Sequence, residues 1–151
     1  MFRGLHHVSV DAKGRMTFPT RLREELVQYD DPKVVVTIDP MSRCLLMYPL
    51  SEWEQIQEKL DKLPSFQPQA RKLQRLLVGH ATDLDIDTAG RVLLPAPLRE
   101  FSQLDKKATL LGQGKKIEIW SHSNWETQRE EYLELSSTDK QQLESLMDIS
   151  L

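Results

Sequence analysis

A fourteen-residue block occurs twice in this chain, and any fold must accommodate both copies. Asp11-Ala-Lys-Gly-Arg-Met-Thr-Phe-Pro-Thr-Arg-Leu-Arg-Glu24 lies over Asp87-Thr-Ala-Gly-Arg-Val-Leu-Leu-Pro-Ala-Pro-Leu-Arg-Glu100 at a constant offset of 76, with identity at seven of the fourteen positions. Further along, the register continues at an offset of 72. Tyr48 matches Trp120, Ser51 matches Ser123, Trp53 matches Trp125 and Glu54 matches Glu126. Four residues are therefore missing from the middle loop of the second copy. The chain reads as a tandem duplication, each unit a hairpin, a short helix, two strands and a long helix.

The local signals support that order. Val8 and Val10 alternate with Ser9, and Met16 and Phe18 alternate with Thr17, which is strand periodicity on either side of an Asp-Ala-Lys-Gly turn. Gly14 and Gly90 supply the positive φ such a turn needs, and Asp11 and Asp87 can bond backbone N–H groups within it. Pro19 suits the first turn of a helix with Leu22, Leu26 and Tyr29 on one face, closed by Asp30-Asp31-Pro32. Val34 to Ile38 reads as a strand buried on both faces, and Leu45 to Tyr48 as its neighbour. Ser51 is expected to cap a helix to about Leu63, with Glu54 as capping-box partner. A basic helix follows at 69–78. In the second copy Leu84 and Ile86 precede the turn, and Val92 and Leu94 follow it. Residues 107–111 and 116–120 pair as strands around Gly112-Gln-Gly114, and Asn124 caps the last long helix. The organisation is a first repeat at 1–63, a connecting helix at 64–78, a second repeat at 79–135 and an acidic tail at 136–151. A unit of about four strands has a weak core by itself. Two units packed about a pseudo-twofold axis bury both sheets, and a barrel with strands from both copies is the expected closure.

Charge qualifies what the chain can bind. The net charge is −3, which argues against nucleic acid. Residues 121–151, however, carry seven acidic and two basic residues, while residues 1–25 carry five basic and three acidic ones. A local basic face matters more to a nucleic-acid partner than the total, although mixed surface charge accounts for the same numbers. No apolar run approaches the ~20 residues that span a bilayer, and no signal peptide is visible. A lone cysteine, Cys44, excludes an intrachain disulfide. These features fit a cytoplasmic protein.

The residue types that do chemistry are present without the spacing chemistry needs. His6, His7, His80 and His122 are scattered, and none forms a metal-site pattern with another or with Cys44. Gly112-Gln-Gly114 leads into a strand rather than a helix, so it reads as a hairpin turn and not a phosphate loop. Asp83, Asp85 and Asp87 alternate as solvated edge-strand residues. No nucleophile elbow or acid–base pair emerges, and neither catalysis nor a cofactor is expected.

The arginines remain. Arg15 and Arg91 each follow the turn glycine and share an outward face with the next alternate residue, Thr17 in the first copy. Two readings stand level. Each arginine pairs with its own turn aspartate and stiffens the loop, an exposed pair contributing ~0–1 kcal/mol. Alternatively, the duplication presents two guanidiniums on one surface, where their planar forks suit phosphate oxygens or a guanine edge.

Met1-Phe-Arg-Gly, Asp11-Ala-Lys-Gly-Arg, Cys44-Leu-Leu-Met-Tyr-Pro, Arg75-Leu-Leu-Val-Gly-His-Ala and Asp87-Thr-Ala-Gly-Arg together resemble the MraZ family of bacterial transcriptional regulators. That family is related to the AbrB/SpoVT swapped-hairpin DNA-binding domains. The resemblance extends to about residue 135. It implies an α+β, mainly β fold, a double-split β-barrel built from two tandem AbrB-like repeats with peripheral helices. It also implies a ring-shaped homo-oligomer that binds short direct repeats in promoter DNA of the division and cell-wall gene cluster, acting as a repressor, in the cytoplasm at the nucleoid and without a cofactor. The family's Asp-x-x-x-Arg motif carries over to Asp11 and Arg15 and to Asp87 and Arg91. Lys13 and Arg3 join them as expected DNA-binding residues, with Asp11, Gly14, Asp87 and Gly90 shaping the turns. Lys13 is replaced by Ala89, so the two halves should touch DNA unequally. An alternative is a protein-binding module of antitoxin type that uses the acidic helical tail.

Overall fold

The computed structural model describes residues 1–29, 33–134 and 136–147; the expected helix stop at Asp30-Asp31-Pro32 lies outside them. The first copy runs β1 (Phe2–Ser9), β2 (Arg15–Thr17), α1 (Thr20–Leu26), β3 (Lys33–Ile38), β4 (Leu45–Pro49) and α2 (Leu50–Asp61). A connecting helix, α3 (Pro68–Leu77), leads to the second copy: β5 (Thr82–Asp85), β6 (Arg91–Leu93), α4 (Ala96–Ser102), β7 (Lys107–Gly114), β8 (Lys116–Ser121) and α5 (His122–Leu133). A final helix, α6 (Ser137–Met147), follows.

Strand order makes the duplication visible. Six strands form one antiparallel sheet in the order β1-β7-β8-β4-β3-β5, and β2 pairs with β6 in a separate ribbon. The order is palindromic under exchange of the copies, with the axis between β8 and β4. This overturns the simple hairpin expected from sequence. β1 and β2 share no ladder, and Val10, just past the end of β1, makes an isolated bridge to Met16, while β1 pairs with β7 and β2 with β6, both from the other copy. Alternation fixes which face of a strand is apolar and says nothing about which strand lies beside it. Neither copy can fold alone with its pairing satisfied, so the repeats form one structural unit.

The expected barrel is not closed. The sheet keeps two edges, β1 and β5, and the ribbon is a separate ladder packed against it. The α+β class is as expected, with six helices among the described residues packed about the strands. One face of the sheet meets the ribbon and the short helices, where Met16, Phe18, Leu22, Val34, Val36, Ile38, Leu45, Met47, Val92, Leu94 and Leu98 form the main core. The other face of β3 and β4 presents Val35, Leu46 and Tyr48 to Trp53 and Leu60 of α2. Val34 to Ile38 are all buried, as the β-branched run predicts. Two expected caps are corrected. Pro49, extended at ψ 147°, starts α2 without a side-chain cap, so Ser51 already lies inside the helix. Ser121 starts α5 and accepts from the Asn124 N–H at 3.1 Å. Both long helices begin where a strand ends, leaving no loop for the later residue to cap.

Candidate nucleic-acid interface

The ribbon of β2 and β6 places the repeated motif. Its register is Arg15 opposite Leu93, Met16 opposite Val92 and Thr17 opposite Arg91. The 76-residue offset maps Met16 onto Val92, so the pseudo-twofold passes through that pair. Met16, Phe18, Val92 and Leu94 are buried. Alternation then sends Arg15, Thr17, Arg91 and Leu93 to the outer face. Arg15 and Arg91 are diagonal neighbours there, a separation of about 7–8 Å between backbone positions. The two guanidiniums share one surface, with neither buried in the core nor placed at an opposite pole.

Each turn is built in the same way. The Asp11 N–H donates to the Arg15 carbonyl at 3.0 Å, and the Gly14 N–H donates to the Asp11 carbonyl at 3.0 Å. Asp11 Oδ1 accepts from the N–H groups of Lys13 and Arg15, both at 2.9 Å, and Oδ2 accepts from Arg15 Nε at 2.7 Å. In the second copy Asp87 Oδ1 accepts from Ala89 at 2.9 Å and Arg91 at 2.8 Å, and Oδ2 accepts from Arg91 Nε at 3.2 Å. The backbone N–H of Arg15 is the main cause holding the Asp11 carboxyl below the usual carboxylate range; that of Arg91 does the same for Asp87. The expected pairing of each arginine with its own turn aspartate is present in both copies. The aspartate grips the guanidinium side-on at Nε, and its two terminal nitrogens make no hydrogen bond among the described residues. A held guanidinium with a free outer edge loses little entropy on meeting a phosphate or a base.

The turn glycines reveal a second pair of arginines that sequence reasoning did not assign. Gly14 has φ 87° and Gly90 φ 79°. A Cβ on Gly14 would lie 2.5 Å from Arg99 Nε, and one on Gly90 would collide with Arg23 Nη1. Arg23 and Arg99 are mates under the 76-residue offset, so each copy's helix sends an arginine over the other copy's turn. Arg99 Nε donates to the Leu94 carbonyl at 3.0 Å and Arg23 Nη2 to Thr20 Oγ1 at 3.0 Å. Arg23 Nε is buried without a hydrogen-bond partner among the described residues. The signal was available, since Leu-Arg-Glu recurs in both copies, but its meaning depends on the strand swap.

Lys13 is exposed on the first turn, and Ala89 replaces it on the second. The outer face differs too: Leu93 is 55% exposed where the first copy has Thr17. Arg3 is not part of this group. It pairs with Gln113 at the far end of β1, about 20–25 Å of strand from the turn. Away from the ribbon, Asp39, Cys44 and Glu118 bring one donor atom each within 4.8 Å of one another. The Cys44 thiol donates to Asp39 at 3.7 Å, and burial above all pushes its pKa well up, so it is a protonated core thiol.

The family model described as "MraZ protein, putative antitoxin-like" matches residues 1–76 and again 77–146, one match for each copy. A protein of Marinomonas sp. (strain MWYL1) named "Transcriptional regulator MraZ" is 73% identical over 151 residues, the whole of both chains. Proteins of the same name from Alkalilimnicola ehrlichii and Coxiella burnetii (strain Dugway 5J108-111) are each 52% identical, covering 92% and 88% of this chain and 93% and 88% of their own. With both copies matched in tandem and the identity extending along the full length, the chain belongs to the MraZ family.

Proposed function

We propose that the chain is a transcriptional regulator that binds double-stranded promoter DNA through the outer face of the β2–β6 ribbon. The observation that carries this reading is the pair of side-on anchored guanidiniums, Arg15 and Arg91, on one face of a two-stranded ribbon. A two-stranded ribbon fits the major groove, about 12 Å wide. There the free edges of Arg15 and Arg91 can take a guanine edge or phosphate oxygens, each good bidentate base contact contributing about 1–3 kcal/mol of discrimination. Leu93, opposite Arg15, offers an apolar contact of the kind a thymine methyl accepts. Lys13 meets a phosphate on the first-copy side only. Arg23 and Arg99 stiffen the turns from behind and add positive potential. Arg3 lies too far along β1 to join the same contact.

One ribbon is a small footprint for an acidic chain. The reading therefore includes several copies in a ring that engage short direct repeats upstream of division and cell-wall genes and repress them at the nucleoid. Joining sites in this way raises affinity by about 10²–10⁴ without new contacts. No helix among the described residues is long and apolar enough to cross a membrane. Footprinting of the purified protein on DNA upstream of its own gene tests the proposal. Protection of short repeats at regular spacing is expected, and no protection at low salt would reject it. A second reading, a protein-binding module of antitoxin type, draws on the family description and on α6, where Leu143 and Leu146 are exposed. Truncation at residue 136 separates the two, because it should leave DNA binding intact and remove only a protein partner.

A further inference from the structure

The pseudo-twofold axis also duplicates a groove, and its two versions have opposite chemistry. Between β1 and the start of α5 lies a groove of about 340 Å³ lined by His7, Lys107 and His122. The Nδ1 atoms of His7 and His122 both lie 3.2 Å from the hydroxyl of the buried Thr109, with the rings edge to face at 5.0 Å. The twofold carries His7 onto Asp83 and His122 onto Leu50. Those residues line the equivalent groove, of about 410 Å³, between β5 and α2, together with Glu54, Glu58 and Asp61. Glu58 meets Lys62 at 2.9 Å, while Glu54, Asp61 and Asp83 have no ion pair among the described residues. One groove is basic and the other acidic.

Each groove runs beside an open sheet edge. β1 pairs only with β7 and β5 only with β3, so the outer hydrogen-bonding groups of both strands stay outside the sheet ladder. β1 carries Arg3, His6 and His7 and no carboxylate; β5 carries Asp83 and Asp85 and no base. Lys33 stands opposite Asp85 on the inner side, and nothing equivalent stands opposite Asp83, whose ladder neighbour is Val35.

We infer that the β1 edge of one copy docks against the β5 edge of a second copy, joining their sheets and setting the basic groove against the acidic one. Charge selects this pairing. A β5–β5 contact would bring Asp83 and Asp85 against themselves, and like charges placed opposite one another across strands destabilise the pair. A β1–β1 contact would leave Arg3 and the Lys107 beside the β1 groove without a carboxylate to meet. Only the unlike edges attract. A contact between unlike edges is head-to-tail and leaves a free edge at each end, so it propagates into a ring when the rotation closes. The main-chain bonds supply affinity and the flanking charges direction, as in other strand-addition contacts. The inference rests on the multi-copy reading above and names the surface that makes it.

The test uses two charge-reversed full-length variants, Asp83→Lys/Asp85→Lys and His7→Glu/Lys107→Glu, sized by light scattering. The first has no carboxylate on either edge strand, and the second has carboxylates in both grooves. Each alone is expected to lose the large particle, and an equal mixture is expected to regain it as an alternating assembly. Either variant alone forming particles of unaltered size, or a folded mixture that stays dispersed, overturns the inference and leaves the multi-copy reading standing. An unmodified protein that is a single copy at every concentration overturns both. Should circular dichroism show that a reversal has unfolded the chain, Asp83→Asn and Lys107→Gln replace it. Each is then expected to raise the dissociation concentration at least tenfold, and no change overturns the inference.

Discussion

Replacing Gly14 by alanine probes the crossed arrangement of turn and arginine. Two costs combine. The backbone sits at φ 87°, where an L-residue loses about 1–2 kcal/mol. The new methyl would also lie 2.5, 2.6 and 2.9 Å from Arg99 Nε, Cζ and Cδ, so Arg99 must move. Moving it breaks the 3.0 Å bond to the Leu94 carbonyl, a charge-assisted bond of the class that contributes about 1.5–3 kcal/mol. Gly14→Ala should therefore destabilise the protein by about 2.5–5 kcal/mol. Arg99→Ala alone should cost about the bond it loses. In the double variant the methyl meets no arginine, so the cost falls below the sum by about 1.5–3 kcal/mol, the bond counted twice in the single variants. Urea unfolding of the three variants at one fixed protein concentration measures this, since association also stabilises the folded state. Strict additivity, or a Gly14→Ala cost below about 0.5 kcal/mol, would refute the claim that the arginine of one copy packs on the turn of the other.

Other perturbations test neighbouring parts of the account. Because hydrogen bonds to Asp11 and Asp87 lower their pKa in the folded state, their stabilisation is present above the unfolded value of about 3.9 and is lost as pH falls through the folded one. Carboxyl titration by NMR should place both midpoints below that value, and a midpoint at or above it would contradict the turn geometry. Met16→Ala removes a side chain with no exposure at the twofold axis and should cost about 2–5 kcal/mol in urea unfolding. Lys13→Ala should weaken DNA binding uniformly across sequences and reduce the salt slope of log K by about 0.9 for each phosphate contact removed. An unchanged slope would take Lys13 out of the interface.

The sequence made the order of elements legible because the block occurs twice: a strand or helix called in one copy had to fit the other. The face of each strand was legible as well. Met16 and Phe18 alternate with Arg15 and Thr17, and period-two alternation leaves no choice of side. The partner strand was not legible. β2 pairs with β6 because Met16 and Val92 meet on the axis, a long-range match that no local pattern records. The crossing of Arg23 and Arg99 was hidden for the same reason. Charge alone groups Arg3 with the turns, but the extended run of β1 carries it away from them. Residue type marks Ser51 and Asn124 as caps, whereas the helices start at the strand ends.

The central claim is that Arg15 and Arg91 meet DNA from one surface. Titration of operator DNA with Arg15→Ala and Arg91→Ala, with particle size checked alongside by light scattering, tests it most directly. The account predicts at least tenfold weaker binding for each variant in particles of unaltered size. Unchanged affinity in intact particles would contradict it.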